Sequence, residues 1–250
     1  VDTQEAMGAN MLNTMLEASK PVLEELSQGQ SLMGILSNYA TDSLVTASCR
    51  VAFRYLSRQK DHGREIAEKI VLASQFAQSD PYRASTHNKG IFNGIDAILI
   101  ATGNDWRAIE AGAHVFASRE GHYQGLSQWT LDLEREELVG EMTLPMPVAT
   151  KGGSIGLNPR VALSHELLGN PSAKELAQII VSIGLAQNFA ALKALVSTGI
   201  QQGHMKLQAK SLALLAGASE SEVAPLVERL IAEKTFNLET AQRYLENLRS

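Results

Sequence analysis

The segment from Asn88 to Thr102 limits the possible folds more than any other, because apolar side chains occur on almost every side of the helix that it would form. Such a helix has no face suited to water and is stable only when it is buried among other elements. A chain of 250 residues can bury it in a sizeable core, as one large domain or as two smaller ones. We therefore predict a domain built around a central helix at this position.

Alternating side chains predict antiparallel strands around that helix. Residues Leu44–Arg54 place Cys49 and other apolar residues on one face and polar residues on the other, as in a half-buried strand. Residues 128–133 and 138–146 predict a hairpin around a charged turn, and Ser31–Leu36 is a short strand candidate. Helices combined with scattered antiparallel strands indicate an α+β fold.

The other segments are predicted to be helical, because their apolar residues recur every three or four positions between capping residues. The first helix starts at Asp2 or Thr3 and contains Gly8, and a glycine in a helix interior costs about 1 kcal/mol relative to alanine. Ser172 and Glu175 form a predicted capping box. The predicted helices span about 2–28, 63–78, 88–102, 106–118, 158 onward, 172–198, 204–216, 219 or 221 onward, and 237–249.

Composition argues against several classes of function. The formal net charge of −5 argues against a nucleic-acid partner, since phosphate binding requires a basic surface. No uninterrupted apolar run reaches the length of a membrane span, so we predict no membrane partner. Cys49, the one cysteine, falls on the apolar face of its strand, which favours a structural thiol in a reducing cytoplasm. The six histidines show no spacing typical of a zinc site, and we predict no metal.

Three ionisable residues lie close to glycines, where a substrate and the backbone can approach each other. Lys89 can stabilise a developing oxyanion, and Asp105 can position that lysine or relay protons. His204 follows Gly203 at a predicted helix start, where the helix dipole disfavours the imidazolium and so favours release of a proton. If the three side chains converge on one carbon atom, they favour reduction or cleavage of a carbonyl compound.

Each of these residues also has an ordinary structural explanation. Lys89 would be a solvated lysine near the end of its helix, and Asp105 would cap the following helix. Arg83 and Asn93 could bind a carboxylate, since a guanidinium holds one with two hydrogen bonds. The glycine-rich loop at residues 151–156 follows no clear strand, so a surface turn is favoured over a phosphate cradle. Spacing alone leaves these alternatives open.

Seven short motifs follow one another through the chain: Glu5–Met11, Asp80–Arg83, His87–Gly90, Asn93–Ile95, Ala101–Arg107, Gly184–Asn188 and Gly203–Met205. Their residues, order and spacing resemble the 3-hydroxy-3-methylglutaryl-coenzyme A (HMG-CoA) reductase family, and most of all its bacterial class II branch. The resemblance covers the chain from its first residues to its last.

The resemblance implies an oxidoreductase that reduces HMG-CoA to mevalonate and free CoA with two molecules of NADH or NADPH, or that catalyses the reverse oxidation. Lys89 would then polarise the thioester carbonyl and stabilise the oxyanion, Asp105 would hold that lysine in a hydrogen-bond network, and His204 would protonate the departing CoA thiolate. The resemblance also assigns substrate-binding and dinucleotide-binding positions. They are Arg83, Asn93, Gln187 and Asn38 for the substrate, and Met7, Gly8 and Asn10 for the dinucleotide.

A division into domains and a partner are also implied by the resemblance. Residues 1–36 would complete a small nucleotide-binding domain, residues 37–200 would form a large catalytic domain, and residues 201–250 would form a helical flap hinged near Gly199–Gly203. Family members place the active site at a dimer interface, so we expect a homodimer or a higher oligomer. The family's catalytic glutamate belongs to an N-terminal half outside this sequence. This agrees with a chain that opens inside a predicted helix, with neither an initiator methionine nor a secretory leader.

Two other functions stay open on the sequence alone. A chain without the N-terminal half could fold, dimerise or bind a CoA ligand and yet show no nicotinamide turnover. An acyl-CoA hydrolase could use the same lysine and histidine, and it would release a thiol without consuming a nicotinamide.

Overall fold

The structure is a computed structural model that describes residues 1–59, 62–153, 155–197, 200–233 and 236–249, with the backbone alone at residues 200–204. These residues form two compact units, Val1–Lys193 and Ala194–Ser250. The division at residues 36 and 200 that the resemblance implies stays a prediction.

Helices and one antiparallel sheet make up the first unit, and the described part of the second unit is helical, which confirms the predicted α+β class. In chain order the elements that begin in the first unit are α1 Ala9–Ser27, β1 Leu44–Ala52, a 3-10 turn Phe53–Tyr55, α2 His62–Ser79, α3 Pro81–Ala101, α4 Trp106–Ala117, β2 Ser127–Asp132, β3 Glu137–Pro145, α5 Pro159–Leu167 and α6 Ala173–Val196. Those of the second unit are α7 Ile200–Leu215, α8 Glu220–Ala232 and α9 Leu238–Arg249.

The three strands lie in the order β1-β3-β2, and both pairs are antiparallel. Exposure alternates along β1 as the sequence predicts. Cys49 lies opposite Gly140 on the half-buried face, and burial raises the pKa of its thiol, which fits a structural role better than a nucleophilic one. Strands β2 and β3 form the predicted hairpin around residues 133–136.

The predicted strand at Ser31–Leu36 is wrong, because this segment pairs with no strand in the described chain. An isolated strand leaves its backbone groups unpaired, and an apolar run in a sequence carries no information about a partner. The segment contacts α1 instead. The backbone N of Leu36 donates to Asn13 Oδ1 over 2.9 Å, and a Cβ atom on Gly34 would lie 3.1 Å from the backbone of Leu16.

Helix α3 is the central helix of the first unit, with one side buried and the other exposed. Asp80 caps it by accepting hydrogen bonds from the backbone N atoms of Tyr82 and Arg83, and Pro81 occupies its first position, where no backbone donor is needed. The helix therefore begins at Pro81 and not at the predicted Asn88. Its apolar core residues, each at most 2% exposed, are Ile91, Phe92, Ile95 and Leu99.

Two glycines let α3 and α6 cross at close range. A Cβ atom on Gly94 of α3 would lie 3.1 Å from Cβ of Gln187, and one on Gly184 of α6 would lie 2.9 Å from Cδ1 of Ile95. A larger residue at Gly94 would crowd Cβ of Gln187 at this crossing. The crossing holds Gln187 directly against the α3 backbone, one residue from Asn93.

Helix α1 begins at Ala9, and the predicted start at Asp2 or Thr3 is wrong. Gly8 has a φ of +89°, a left-handed conformation that interrupts a right-handed helix and favours glycine. A Cβ atom there would also lie 2.3 Å from Cγ2 of Thr3. Gly8 is therefore the residue at which the chain turns into α1 and not a residue inside it.

Among the described residues, α6 is the one helix that is long and apolar enough to cross a membrane by length and composition. No uninterrupted apolar run marks this helix in the sequence, because polar residues such as Gln178 and Ser182 interrupt a segment that is apolar on average. Its buried residues, including Leu176, Ile180 and Leu185, pack inside the first unit, which is sufficient to explain the composition. The absence of a membrane partner stays a prediction.

Helix α7 begins at Ile200 and not at the predicted His204, so Gly203 and His204 both lie within it. The sequence placed the start at the glycine, but a glycine inside a helix lowers its stability without ending it. The three helices of the second unit share a core of their own. Its members are Ala209, Ala213, Leu226, Val227, Leu230, Ala241, Tyr244 and Leu245.

The predicted starts of the last two helices are confirmed. Ser219 and Glu222 form a capping box at the start of α8. Asn237 accepts a hydrogen bond from the backbone N of Thr240 at the start of α9. The end of α9 is tied back by Arg249, whose Nε lies 2.8 Å from Glu222 Oε1.

Candidate active site

A cavity of about 840 Å³ lies in the first unit between the start of α1, the turn that joins α3 to α4, and the glycine-rich loop. We call it the α1–α4 cavity. Its volume is within the range typical of cofactor pockets. Five residues that the resemblance assigns to the active site line it: Met7, Gly8, Asn10, Asn38 and Asp105.

Asp105 both caps α4 and lines this cavity. Its Oδ1 atom accepts hydrogen bonds from the backbone N atoms of Arg107 and Ala108, at 3.1 and 3.3 Å, and lies 3.4 Å from Nε of Arg107. The structural explanation considered from the sequence is therefore correct. The cap does not exclude a functional role, because the carboxylate remains exposed and only Oδ1 takes part in these contacts.

The glycine-rich loop forms another wall of the cavity, through Lys151, Gly152 and Gly153. Both glycines have positive φ angles, +94° and +57°, and a Cβ atom on either would meet open space. The loop is an exposed turn, as favoured from the sequence, and it also lets a ligand approach its backbone. In the sequence, the adjacent glycines beside a lysine could have indicated that this loop forms a wall of a ligand site.

Asn104 fixes the α3–α4 turn against the chain that leads into that loop. Its Nδ2 atom donates to the carbonyl O of Ala149 over 3.1 Å, and its Oδ1 accepts from the backbone N of Ala149 over 2.7 Å. This double contact sets the distance between Asp105 and Lys151 across the cavity. Sequence reasoning passed over Asn104, because its partner Ala149 lies 45 positions further along the chain.

Gly112 of α4 sets the position of Asn38. A Cβ atom on Gly112 would lie 2.5 Å from the carbonyl O of Asn38, which is closer than side chains pack. We expect Gly112→Ala to reduce the free energy of unfolding by about 1–3 kcal/mol, because the Asn38 segment must shift away from α4. Urea unfolding of the full-length protein measures this loss.

Gly90→Ala is the matched control, since a Cβ atom there meets nothing within 4 Å. Replacing a helical glycine in open space is expected to leave stability unchanged or to raise it by up to about 1 kcal/mol. Equal unfolding midpoints for Gly112→Ala and the wild type would show that Asn38 is not held in this way.

A second group of candidate residues lies on the exposed side of α3, outside the α1–α4 cavity. Lys89 and Asn93 are four positions apart on the helix and both are exposed. Gln187 of α6 lies beside them at the crossing with Gly94. We call these three residues the α3 face. Within the described chain the Lys89 ammonium group has no hydrogen bond or ion pair, so it is free to meet a ligand or another chain.

Arg83 lies one to two turns before the α3 face. Its backbone N donates to the Asp80 cap, and its guanidinium is half-buried. Burial lowers the pKa of the guanidinium, although the group stays charged at any physiological pH. No carboxylate in the described residues pairs with it, which leaves it able to bind one from a substrate.

Within the described residues of one chain, the contacts of Asp105 are with Arg107 and Ala108 and not with the α3 face. The helix rises 1.5 Å per residue, so about 15 Å separates Lys89 from Leu99. The chain turns back at that point, where the backbone N of Asn104 donates to the carbonyl O of Leu99 over 2.8 Å. Lys89 is not among the residues that line the α1–α4 cavity. The α1–α4 cavity therefore does not bring Lys89 and Asp105 of one chain together, and their convergence on one carbon atom stays a prediction.

A buried polar network fastens α3 to the sheet and to α6. His87 is 2% exposed, and its Nε2 atom lies 2.7 Å from Ser127 Oγ and 3.1 Å from Asn188 Nδ2. Asn188 Oδ1 accepts hydrogen bonds from Trp129 Nε1 and Ser127 Oγ, at 2.7 and 2.8 Å. Burial, with a smaller effect from the charge of Arg83, lowers the pKa of His87 to about 4, so its imidazole is neutral at pH 7.

Sequence reasoning missed the role of His87, because it singled out the neighbouring Lys89. The spacing of a helix did carry a signal, since positions 84, 87, 88, 91 and 95 fall on one buried side of α3. A second titratable group, Asp96, lies between α3 and α4. Desolvation, and then the nearby carboxylate of Glu110, raise the pKa of Asp96 to about 6.

The side chain of His204 lies outside the described residues, and so does Gly199 of the expected hinge. The role of His204 stays a prediction. Within the part of the chain that the structure describes, no three His, Cys, Asp or Glu side chains are grouped as metal ligands would be.

Comparison with known proteins identifies the family. The family model described as hydroxymethylglutaryl-coenzyme A reductase matches residues 1–209. The 3-hydroxy-3-methylglutaryl-coenzyme A reductase of Archaeoglobus fulgidus is 45% identical over 250 residues, which are 100% of this chain and 56% of that protein. The probable reductase of Borreliella burgdorferi is 40% identical over 213 residues, which are 85% of this chain and 49% of that protein.

Solved structures that resemble this chain belong to the same family. A reductase structure from Streptococcus pneumoniae is 94% identical with a TM-score of 0.78, over 99% of this chain and 59% of that one. A class II enzyme from the same organism, bound to NADPH in open conformations, is also 94% identical with a TM-score of 0.78, over 100% of this chain and 60% of that one. The chain thus spans about half to three fifths of the length of these relatives. With the family model matched over most of its residues, the chain belongs to the hydroxymethylglutaryl-coenzyme A reductase family.

Proposed function

We propose that this chain supplies the substrate-binding, cofactor-binding and proton-donating residues of an HMG-CoA reductase. Overall, HMG-CoA, two NADPH and two protons would give mevalonate, CoA and two NADP⁺. The observation that carries the proposal is the α1–α4 cavity, where Met7, Gly8 and Asn10 face Asp105 and the glycine-rich loop. Family membership alone does not say where on the chain the cofactor binds, and the residues that line the cavity support this location for it.

The residues of the cavity fit a dinucleotide. Its phosphates need cations and exposed backbone donors, and the cavity offers Lys151, Arg107 and the unobstructed Gly152 and Gly153. We favour NADPH over NADH because a relative that is 94% identical is bound to NADPH. When bound, NADPH supplies the hydride for both reduction steps.

The chemistry assigned to this chain follows from where charge develops on the substrate. Addition of hydride to the thioester carbon places negative charge on the carbonyl oxygen, and the Lys89 ammonium would stabilise that charge. Asp105 would orient the lysine. His204 would protonate the CoA thiolate as it leaves and so prevent its return. Arg83 would hold the free carboxylate of the HMG group, with Asn93, Gln187 and Asn38 around it.

These roles require a second copy of the chain. Because Lys89 is not among the residues that line the α1–α4 cavity of its own chain, it would act with Asp105 where the α3 face of one subunit meets the α1–α4 cavity of another. A homodimer with two-fold symmetry would form two such composite sites. We therefore propose at least a homodimer, located in the cytoplasm, and the catalytic glutamate would come from residues that precede this sequence in the longer relatives.

A stoichiometry measurement tests the function. The full-length protein is incubated with HMG-CoA and NADPH, and NADPH oxidation and free thiol are followed together. We expect two NADPH oxidised for each thiol released. Thiol release without NADPH oxidation would identify an acyl-CoA hydrolase, and ligand binding with neither product would identify a protein that only binds CoA compounds.

His204→Ala is expected to affect one half of the reaction far more than the other. Reduction of HMG-CoA should fall by about a hundredfold or more, because the thiolate loses its proton donor, whereas reduction of added mevaldehyde should change by less than about threefold. His122→Ala is the control, since His122 is exposed and belongs to neither group of candidate residues. Equal losses in both reactions would exclude the proton-donor role.

A further inference from the structure

One residue, Glu5, links three separate segments around the α1–α4 cavity. Its backbone carbonyl O accepts hydrogen bonds from the N atoms of Thr150 and Lys151, at 2.9 and 3.1 Å. Its side-chain Oε2 accepts from Thr150 Oγ1 and, over 2.9 Å, from the backbone N of Ala173. The four contacts span 145 to 168 positions of sequence, so no local turn explains them.

Each partner of Glu5 belongs to a part of the proposed site. Thr150 and Lys151 begin the glycine-rich loop, which forms one wall of the cavity. Glu5 itself directly precedes Ala6, Met7 and Gly8, which form the wall on the other side. Ala173 is the first residue of α6, the helix that carries Gln187. Glu5 therefore fixes the spacing of two cavity walls and ties both to the helix of the substrate site.

The contacts suit an ionised carboxylate. The first turn of α6 presents unpaired backbone N–H groups and the positive end of the helix dipole to Glu5. The hydrogen bond from Thr150, then that from Ala173 and the nearby charge of Lys151, lower the pKa of the Glu5 carboxyl. The side chain is therefore charged at neutral pH and satisfies donors that would otherwise lack a partner.

We propose that Glu5 is a positioning residue for dinucleotide binding, which holds the glycine-rich loop at a fixed distance from Met7 and Gly8 before the cofactor arrives. The inference rests on the proposed function, since it assumes that the dinucleotide binds in the α1–α4 cavity. Glu5 acts through its neighbours and need not touch the cofactor. Without it, the loop must be ordered at the moment of binding, which weakens binding and leaves the bound geometry unchanged.

Three variants of the full-length enzyme test this role. Glu5→Ala removes the side-chain contacts, and Thr150→Val removes one of them. Glu5→Gln keeps an oxygen that can accept from both Thr150 and Ala173 while it removes the charge. Glu175→Gln is the matched control, because Glu175 accepts hydrogen bonds from Ser172 at the same end of α6 and has no contact with the loop.

We expect Glu5→Ala to raise both the KM and the Kd for NADPH by about tenfold, with kcat within about threefold of wild type. Thr150→Val should produce a smaller rise in the same direction. Glu5→Gln should recover most of the loss, and Glu175→Gln should bind NADPH as the wild type does. Hydrogen exchange should show faster exchange of the Thr150 and Lys151 amides in Glu5→Ala than in Glu175→Gln, without any cofactor present.

The outcomes separate this inference from the function on which it rests. If the wild-type enzyme does not bind NADPH, the proposed function fails and the inference fails with it. If the wild type binds NADPH and Glu5→Ala binds it equally well, the inference alone fails. It also fails if Glu175→Gln weakens binding as much as Glu5→Ala does, because the effect would then be a general consequence of a weaker α6 terminus.

Discussion

A heterodimer of two inactive variants, one subunit with Lys89→Ala and the other with Asp105→Asn, is expected to regain about half of the wild-type activity. Each variant alone should lose activity by about a hundredfold to a thousandfold, since each removes a group from the charge stabilisation of the oxyanion. The recovery follows from symmetry. One of the two composite sites would carry both substitutions and the other would carry neither.

Recovery of activity requires that Lys89 and Asp105 of one chain belong to different composite sites. Lys89 lies on the exposed α3 face, about 15 Å along the helix axis from Leu99. Asp105 follows the turn after α3 and lines the α1–α4 cavity, which Lys89 does not line. A Lys89 substitution in one subunit and an Asp105 substitution in the other can therefore fall in the same composite site and leave the second site intact. The experiment needs subunits with two distinct affinity tags, co-expressed and purified through both tags, with activity measured per dimer.

A second heterodimer provides the control. Lys89→Ala in one subunit and Asn93→Ala in the other place both substitutions on the α3 face. Every site then contains one damaged α3 face, and no recovery is expected. If the Lys89→Ala and Asp105→Asn pair also fails to recover, the two residues belong to the same site of the same chain, and the proposed composite site is wrong.

The sequence was sufficient to predict those elements whose pattern depends on burial. The central helix α3 follows from its high content of apolar residues, and the hairpin of β2 and β3 follows from apolar alternation, because the core imposes both patterns directly on the residues. Caps were also predictable, as at Asp105 and Ser172, since a cap is a local interaction between a side chain and the first turn of its own helix.

The errors occurred where a partner or a backbone angle decided the structure. Residues 31–36 have the composition of a strand but lie beside α1, and composition cannot report the absence of a pairing strand. Gly8 was placed inside a helix because its positive φ is invisible in a sequence. The start of α7 was placed at His204, although the helix already exists at Ile200.

The residues of the candidate site could be proposed from the sequence, but their positions relative to one another could not. Resemblance assigned residues to the substrate and the dinucleotide, yet it did not indicate that they divide into an exposed α3 face and a separate cavity. That division depends on the length of α3, which keeps Lys89 and Asp105 apart. The contacts of Glu5 and the buried His87 network were not anticipated either, because their partners are 40 to 168 positions away in the sequence.

The buried His87 predicts that acid destabilises the protein. Its pKa is about 4 in the folded protein, against 6.5 for an unperturbed histidine. Between these values the unfolded chain binds a proton and the folded protein does not, so stability falls as the pH falls. The contribution of His87 is complete above pH 6.5 and is lost progressively down to pH 4. One pKa unit corresponds to about 1.4 kcal/mol, so the total loss is about 3 kcal/mol.

Asp96 acts in the opposite direction over part of the same range. Its pKa is raised to about 6 in the folded protein, so the folded state takes up a proton before the unfolded state does and gains stability as the pH falls below 6. The pH dependence of the free energy of unfolding of the wild type therefore contains contributions from both His87 and Asp96. The difference between the wild type and a variant that lacks only the His87 imidazole removes the contribution of Asp96.

We therefore expect the free energy of unfolding of His87→Gln to depend less steeply on pH than that of the wild type, by up to about 1.4 kcal/mol per pH unit between pH 6.5 and 4. Urea unfolding of the full-length protein at half-unit steps of pH measures both slopes. The slope is the informative quantity, because the substitution also removes the hydrogen bond to Ser127 and lowers stability at every pH. His122→Gln, at an exposed histidine, should keep the wild-type slope. If His87→Gln keeps it as well, then His87 is protonated in the folded protein and the buried network must accommodate a charge.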